Sequence, residues 1–173
     1  MNLYIVRHGE TDWNVEGRYA GQIDVPLNQN GIKQAEKIKE KLKDISFEKV
    51  YSSTLTRAIT TAKIIRDGDI ITDERIMERS NGDLDGRLKT EVKDLIDYNN
   101  PYETRYHIES IIDFRKRVED FFDDITSLTD ENILVVTHAG VGIYARCYFE
   151  GEPLDGDYSK YKIGNCKVLQ YHI

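Results

Sequence analysis

Arg7-His8-Gly9-Glu10 follows directly on the apolar run Leu3-Tyr4-Ile5-Val6, so a histidine leaves the carboxyl end of a predicted buried strand beside a guanidinium. An unprotonated imidazole nitrogen can attack phosphorus, and the arginine fork can hold the remaining oxygens as charge moves onto them. A second histidine is placed the same way, where Ile133-Leu134-Val135-Val136 runs into Thr137-His138-Ala139-Gly140. Arg57 lies in Ser52-Ser53-Thr54-Leu55-Thr56-Arg57-Ala58, in the first turn of a helix expected after a third strand, and helix amino ends favour anions. Two imidazoles and two guanidiniums would then surround one phosphoryl group. With His8 as the nucleophile, His138 serves better as a donor to an equatorial oxygen than as a second nucleophile. Glu78, just before the turn Gly82-Asp83-Leu84-Asp85-Gly86, is the candidate general acid.

The elements that must position these groups follow from the apolar pattern. Residues 3–6 and 133–136 read as parallel core strands, 49–52 as a weaker strand, 70–72 as a short one and 168–173 as an edge. Helical spacing runs through Ile32, Ala35, Ile38 and Leu42, with Asn28 as the cap, and again through Leu55, Ala58, Ile59, Ala62 and Ile65. Leu88, Val92, Leu95 and Ile96 predict a third helix, and the apolar positions from Ile111 to Leu128 a longer fourth. Strands alternating with helices indicate an α/β three-layer sandwich, a mostly parallel central sheet flanked by helices. In such sheets ligands bind at the carboxyl ends of the strands, where His8 and His138 both fall. A length of 173 residues with 39% hydrophobic content suits a single domain over 1–173, with an irregular excursion at about 98–107.

Lysine plus arginine number 24 against 31 acidic residues, a formal charge of -7, so bulk attraction to nucleic acid or an acidic membrane is not expected. An anionic ligand must be captured by a local pocket. Cys147 and Cys166 lack the spacing of a metal site or disulfide framework, and no apolar run approaches a membrane span. The expectation is a cytoplasmic protein with reduced thiols, no metal and no cofactor, whose partner is a small phosphomonoester. Nothing in the sequence specifies an oligomeric state.

Taken together, Arg7-His8-Gly9-Glu10-Thr11 with Trp13-Asn14, Gly31 with Gln34-Ala35, Ser52-Ser53 with Leu55 and Arg57-Ala58, Thr61-Ala62, and His138-Ala139-Gly140 resemble the histidine phosphatase superfamily. This is the branch that includes the cofactor-dependent phosphoglycerate mutases. The resemblance implies that His8 becomes phosphorylated, that Arg7, Arg57 and His138 form the phosphate pocket with a hydrogen bond from Asn14, and that Glu78 is the proton donor. It also implies that the second nitrogen of His8 is held by a backbone carbonyl. Glu109-Ser110 and Arg117-Val118 resemble a pattern recurring in the phosphatase branch. Further candidates for substrate contact are Ala20, Gly21, Arg79 and Arg105, with His107 beside the last. Tyr19, Tyr98, Tyr102 and Tyr106 are candidates for the pocket wall.

Within the family the split is between hydrolysis and intramolecular phosphoryl transfer. The mutases resembled here are usually longer and carry a hydroxyl residue where this chain has Ala20. Hydrolysis of small-metabolite phosphomonoesters is therefore the expected reaction. Mutase-type transfer is the alternative, and a catalytically silent phospho-ligand-binding module a more distant one.

Overall fold

The odd residues Leu3, Ile5, Ile133 and Val135 bury into one apolar cluster, and the even residues Tyr4, Val6, Leu134 and Val136 into another. That division is the two-residue strand period expressed as two cores, one on each face of a sheet. A computed structural model describes residues 1–97 and 100–173 of the chain. Its strands are β1 (Asn2–Arg7), β2 (Lys49–Ser52), β3 (Ile71–Thr72), β4 (Asn132–Thr137) and β5 (Val168–His172), in the order β3-β2-β4-β1-β5. The first four pair in parallel, and β5 closes the edge antiparallel to β1. The protein has an α/β fold, a five-stranded, mostly parallel sheet flanked by helices.

The helices are α1 (Asp12–Glu16), α2 (Gln29–Lys41), α3 (Thr56–Ile65), α4 (Lys89–Val92), α5 (Ile111–Thr126) and α6 (Ala139–Glu150). From β1 the chain steps outward through α2 to β2 and through α3 to β3, then reverses to insert β4 between β2 and β1. Right-handed crossovers running in opposite directions put their helices on opposite faces. Residues of α2 and α3 accordingly share the even-numbered core, and those of α5 and α6 the odd-numbered one, where Phe114, Phe121 and Phe122 are fully buried. Burial of each such ring stabilises the fold by about 1.5–3 kcal/mol. The reversal leaves a crevice where β1 and β4 lie side by side and their outgoing helices part, the usual ligand position in open α/β sheets.

Two helix expectations need correction. The segment from Leu88 does not run as a helix to Ile96: α4 ends at Val92, Leu95 bonds back only three residues to the Val92 carbonyl, and the Asp97 N–H is taken by the Glu103 carboxylate. Its apolar residues are collected instead by a small separate cluster of Leu84, Val92, Ile96 and Ile108. Conversely, α1 was not expected. It begins at a capping box in which Thr11 and Asn14 exchange side-chain to backbone bonds, with asparagine where the usual motif has Glu or Gln. Of the excursion at about 98–107, Tyr98 and Asn99 lie outside the described residues, and Arg105–His107 forms a single 3-10 turn. Among the described residues, no helix is long and apolar enough to cross a membrane.

Candidate active site

The register of β1 and β4 pairs Arg7 with Thr137, so His8 and His138 leave adjacent strands in step, and the His8 N–H donates to the Thr137 carbonyl at 2.9 Å. Their rings stand 5.1 Å apart between centroids. His8 Nδ1 lies 2.7 Å from the Gly9 carbonyl oxygen. A carbonyl can only accept, so the ring proton sits on Nδ1 and Nε2 keeps its lone pair. Burial, followed by the Arg57 and Arg7 charges, pushes the His8 pKa well below its ordinary value, which opposes protonation of Nε2.

Glycine is needed where the loop after His8 meets α2. A Cβ on Gly9 would come within 2.5 Å of the Gly31 carbonyl, and one on Gly31 would overlap the Glu10 backbone. The two glycines let backbone pack on backbone, with the Gly9 N–H donating to Thr61 Oγ1 on α3 at 3.0 Å. His8 is thereby fixed against both α2 and α3.

Arg57 is buried at the start of α3. Its Nη1 donates to the Ile23 carbonyl at 2.8 Å and its Nη2 to Gly21 at 2.6 Å, while Arg7 Nη1 donates to Ile163 at 2.9 Å. These bonds hold the guanidiniums by one edge. Nε of Arg7, Nε of Arg57 and Nδ1 of His138 are buried with no hydrogen-bond partner among the described residues. Buried donors are rarely left unpaired, and two guanidinium Nε–H groups from arginines whose charges both act on His8 call for an anionic ligand.

A cleft of about 370 Å³ opens over this group, lined by Arg7, His8, Asn14, Arg57 and Glu78, with Ala20, Gly21 and Arg79 further along the wall. Asn14 uses Oδ1 to accept from the Thr11 N–H and from Asn165 Nδ2, so the group it has to offer a phosphoryl oxygen is its amide NH2. Glu78 is held at both oxygens, Oε1 by the Arg79 N–H at 2.9 Å and Oε2 by the Gly140 N–H at 3.1 Å. A side chain on Gly140 would collide with that carboxylate and with Phe114. Arg117 braces the segment from behind: it donates to the carbonyls of Arg75, Met77 and Glu78 and pairs with Glu109 at 2.6 Å. The resemblance of the Glu109 and Arg117 pattern thus has a physical content, the placement of Glu78.

Other expected residues fall elsewhere. His138 is fully buried and does not line the cleft; it lies beside His8 and reaches Ser53 Oγ through Nε2 at 2.7 Å. Arg105 lies away from the cleft wall, its guanidinium paired with Glu103 two residues away. His107 is likewise exposed and paired with Asp83 at 2.8 Å. Of the tyrosines, Tyr19 lines the cleft whereas Tyr102 and Tyr106 do not, and Tyr98 lies outside the described residues. Among the described residues, no cluster of three His, Cys, Asp or Glu side chains is placed to hold a metal ion.

A profile of the histidine phosphatase superfamily (branch 1) matches residues 3–173. The chain belongs to that superfamily. Its fold is shared with the alpha-ribazole phosphatase of Shigella flexneri, at TM-score 0.88 and 29% identity, over 100% of this chain and 91% of that one. The phosphoserine phosphatase of Entamoeba histolytica, solved with 3-phosphoglyceric acid, superposes at TM-score 0.82 and 26% identity, covering 98% and 89% of the two chains. Among curated relatives, the "Probable phosphoglycerate mutase GpmB" of Proteus mirabilis is 42% identical over 90 residues, 50% of this chain and 42% of that protein. The chain spans less than half of that relative's length.

In this member of the superfamily the cleft is also lined by residues with no sequence signal. Arg18, Lys89 and Lys162 line the cleft together with Ile111, Phe114, Ile143 and Tyr144. The three cations come from segments far apart in the chain, and nothing in their local spacing distinguishes them from solvated surface residues.

The buried histidines make stability depend on pH. Burial comes first, and the neighbouring positive charges second, in pushing both His8 and His138 well below 6.5. The unfolded chain therefore binds more protons than the folded one below pH ~6.5, so this contribution is fully present above that pH and is lost as pH falls. We expect chemical-denaturation stability to decline between pH 7 and 5.5 by up to ~1.4 kcal/mol per pH unit per histidine. His8→Ala should give a shallower slope; an unchanged slope would remove His8 from this account.

Proposed function

We propose that this chain is a phosphatase that hydrolyses phosphomonoesters of small metabolites through a phosphohistidine on His8. The observation that carries the reading is the contact of His8 Nδ1 with the Gly9 carbonyl, which fixes the proton there and leaves Nε2 unprotonated in a site where the Nε donors of Arg7 and Arg57 have no partner among the described residues. In the first transfer Nε2 bonds to phosphorus as the ester P–O bond breaks, and Glu78 gives its proton to the departing oxygen. In the second, water attacks the phosphoryl group, Glu78 takes the water's proton, and the P–N bond breaks to restore His8 and release phosphate. Arg7, Arg57, His138 and Asn14 hold the equatorial oxygens, and the guanidiniums supply the positive charge that a metal ion provides in other phosphoryl-transfer sites. No cofactor takes part.

A proton donated to the leaving oxygen matters most where that oxygen is a poor leaving group. Glu78→Gln should slow hydrolysis of alkyl phosphates about 10²- to 10⁴-fold, and of an activated aryl phosphate much less. Equal losses on both substrates would take the acid role from Glu78.

The deciding assay is phosphate release from an aryl phosphate, phosphoserine, 3-phosphoglycerate and alpha-ribazole phosphate, with and without chelator. Release that survives the chelator supports the reading. Isomerisation of 3-phosphoglycerate without release of phosphate would favour the mutase reading, to which the likeness to a mutase over half of the chain lends weight. Ligand binding without either reaction would indicate the silent module.

A further inference from the structure

Ser53 follows directly on the carboxyl end of β2 and is fully buried. Its hydroxyl oxygen stands 2.7 Å from His138 Nε2 and also accepts the Leu55 backbone N–H at 3.2 Å. A hydroxyl has one proton to give, and here the group placed to receive it is the imidazole nitrogen. If Nε2 accepts, the single proton of a neutral ring must sit on Nδ1, the atom that is buried without a partner among the described residues.

The opposite assignment fits less well. With the proton on Nε2, the Ser53 oxygen would receive two N–H donors while its own proton had no acceptor, and Nδ1 would present a lone pair. A lone pair cannot donate to a phosphoryl oxygen; an Nδ1–H can.

We propose that Ser53 is a positioning residue, which donates its hydroxyl proton to His138 Nε2 and so fixes the ring proton on Nδ1 for donation to the phosphoryl oxygen. The inference rests on the phosphatase reading for its purpose, though not for its geometry. The ring holds one proton because burial, then the Arg57 charge, disfavours a second. Among the described residues, no side chain other than Ser53 stands within hydrogen-bond reach of either nitrogen of His138.

Long-range 1H–15N correlation spectra of uniformly labelled protein, with His138 signals assigned by their loss in His138→Gln, read the tautomer directly. The expected result is an Nδ1–H ring in the unaltered protein. In Ser53→Ala the ring should become a mixture of tautomers, with kcat lower by about 10- to 100-fold and KM within about twofold. Ser53→Thr keeps the hydroxyl and should restore both the tautomer and most of the rate. An Nε2–H ring in the unaltered protein, or an unchanged tautomer in Ser53→Ala, overturns the proposal. The spectra of the unaltered protein decide even if the variants fold poorly. Absence of phosphatase turnover would count against the functional reading alone, since the tautomer is read without it.

Discussion

His8→Ala is expected to abolish phosphomonoester hydrolysis, lowering kcat by at least about 10⁴-fold, because it removes the only atom proposed to bond to phosphorus. Quenching in alkaline detergent after brief exposure to a 32P-labelled substrate should trap one base-stable, acid-labile phosphoryl group per unaltered chain, and none on the variant. The loss should not be a loss of fold. The imidazole contributes one hydrogen bond to its own neighbour's carbonyl, and removing it relieves the burial of a titratable group. A variant of undiminished thermal stability that still formed the phosphoenzyme would mean that another residue is the nucleophile, with His138 the first to test.

Arg57→Ala is the second large effect. The transferring phosphoryl group spreads charge over its equatorial oxygens, and a guanidinium aimed at them in a water-poor site is worth about 10³- to 10⁵-fold in rate. We expect kcat to fall about 10³-fold, and binding of inorganic phosphate or vanadate to weaken. Arg57→Lys should recover little, since an ammonium cannot hold the Gly21 and Ile23 carbonyls with one edge while facing the ligand with the other. Stability will also drop, because the two carbonyls lose their donor. Rate and phosphate affinity must therefore be compared at a temperature where denaturation curves show the variant folded; unchanged affinity there would place Arg57 outside the phosphate pocket.

The fold was legible because its signals are short in range. The unbroken apolar runs of β1 and β4, the cap at Asn28 and the apolar stripes of α2, α3 and α5 are written over a few residues each. The failures have the same explanation in reverse. The apolar spacing from Leu88 to Ile96 is helical in period, yet the chain turns after Val92 because distant Leu84 and Ile108 collect its side chains. Arg105 looked available for an anion because its partner, Glu103, could not be seen to lie beneath it with a carboxylate only 5% exposed.

By itself, the sequence determined which groups are candidates for the proposed chemistry: a histidine and an arginine at the end of one strand, a second histidine at the end of another, an arginine on a helix start. Only the tertiary structure decided how they are aimed. The parallel register of β1 and β4 sets the two rings 5.1 Å apart, Gly9 fixes the proton of one, and Ser53, 85 positions from His138, stands against the other. Arg117 locates Glu78 from the far side of a crossover, and Arg18, Lys89 and Lys162 meet in one cleft. Residue identity and local period carry the first kind of information; the second depends on which way each crossover turns, and single-position spacing does not record that.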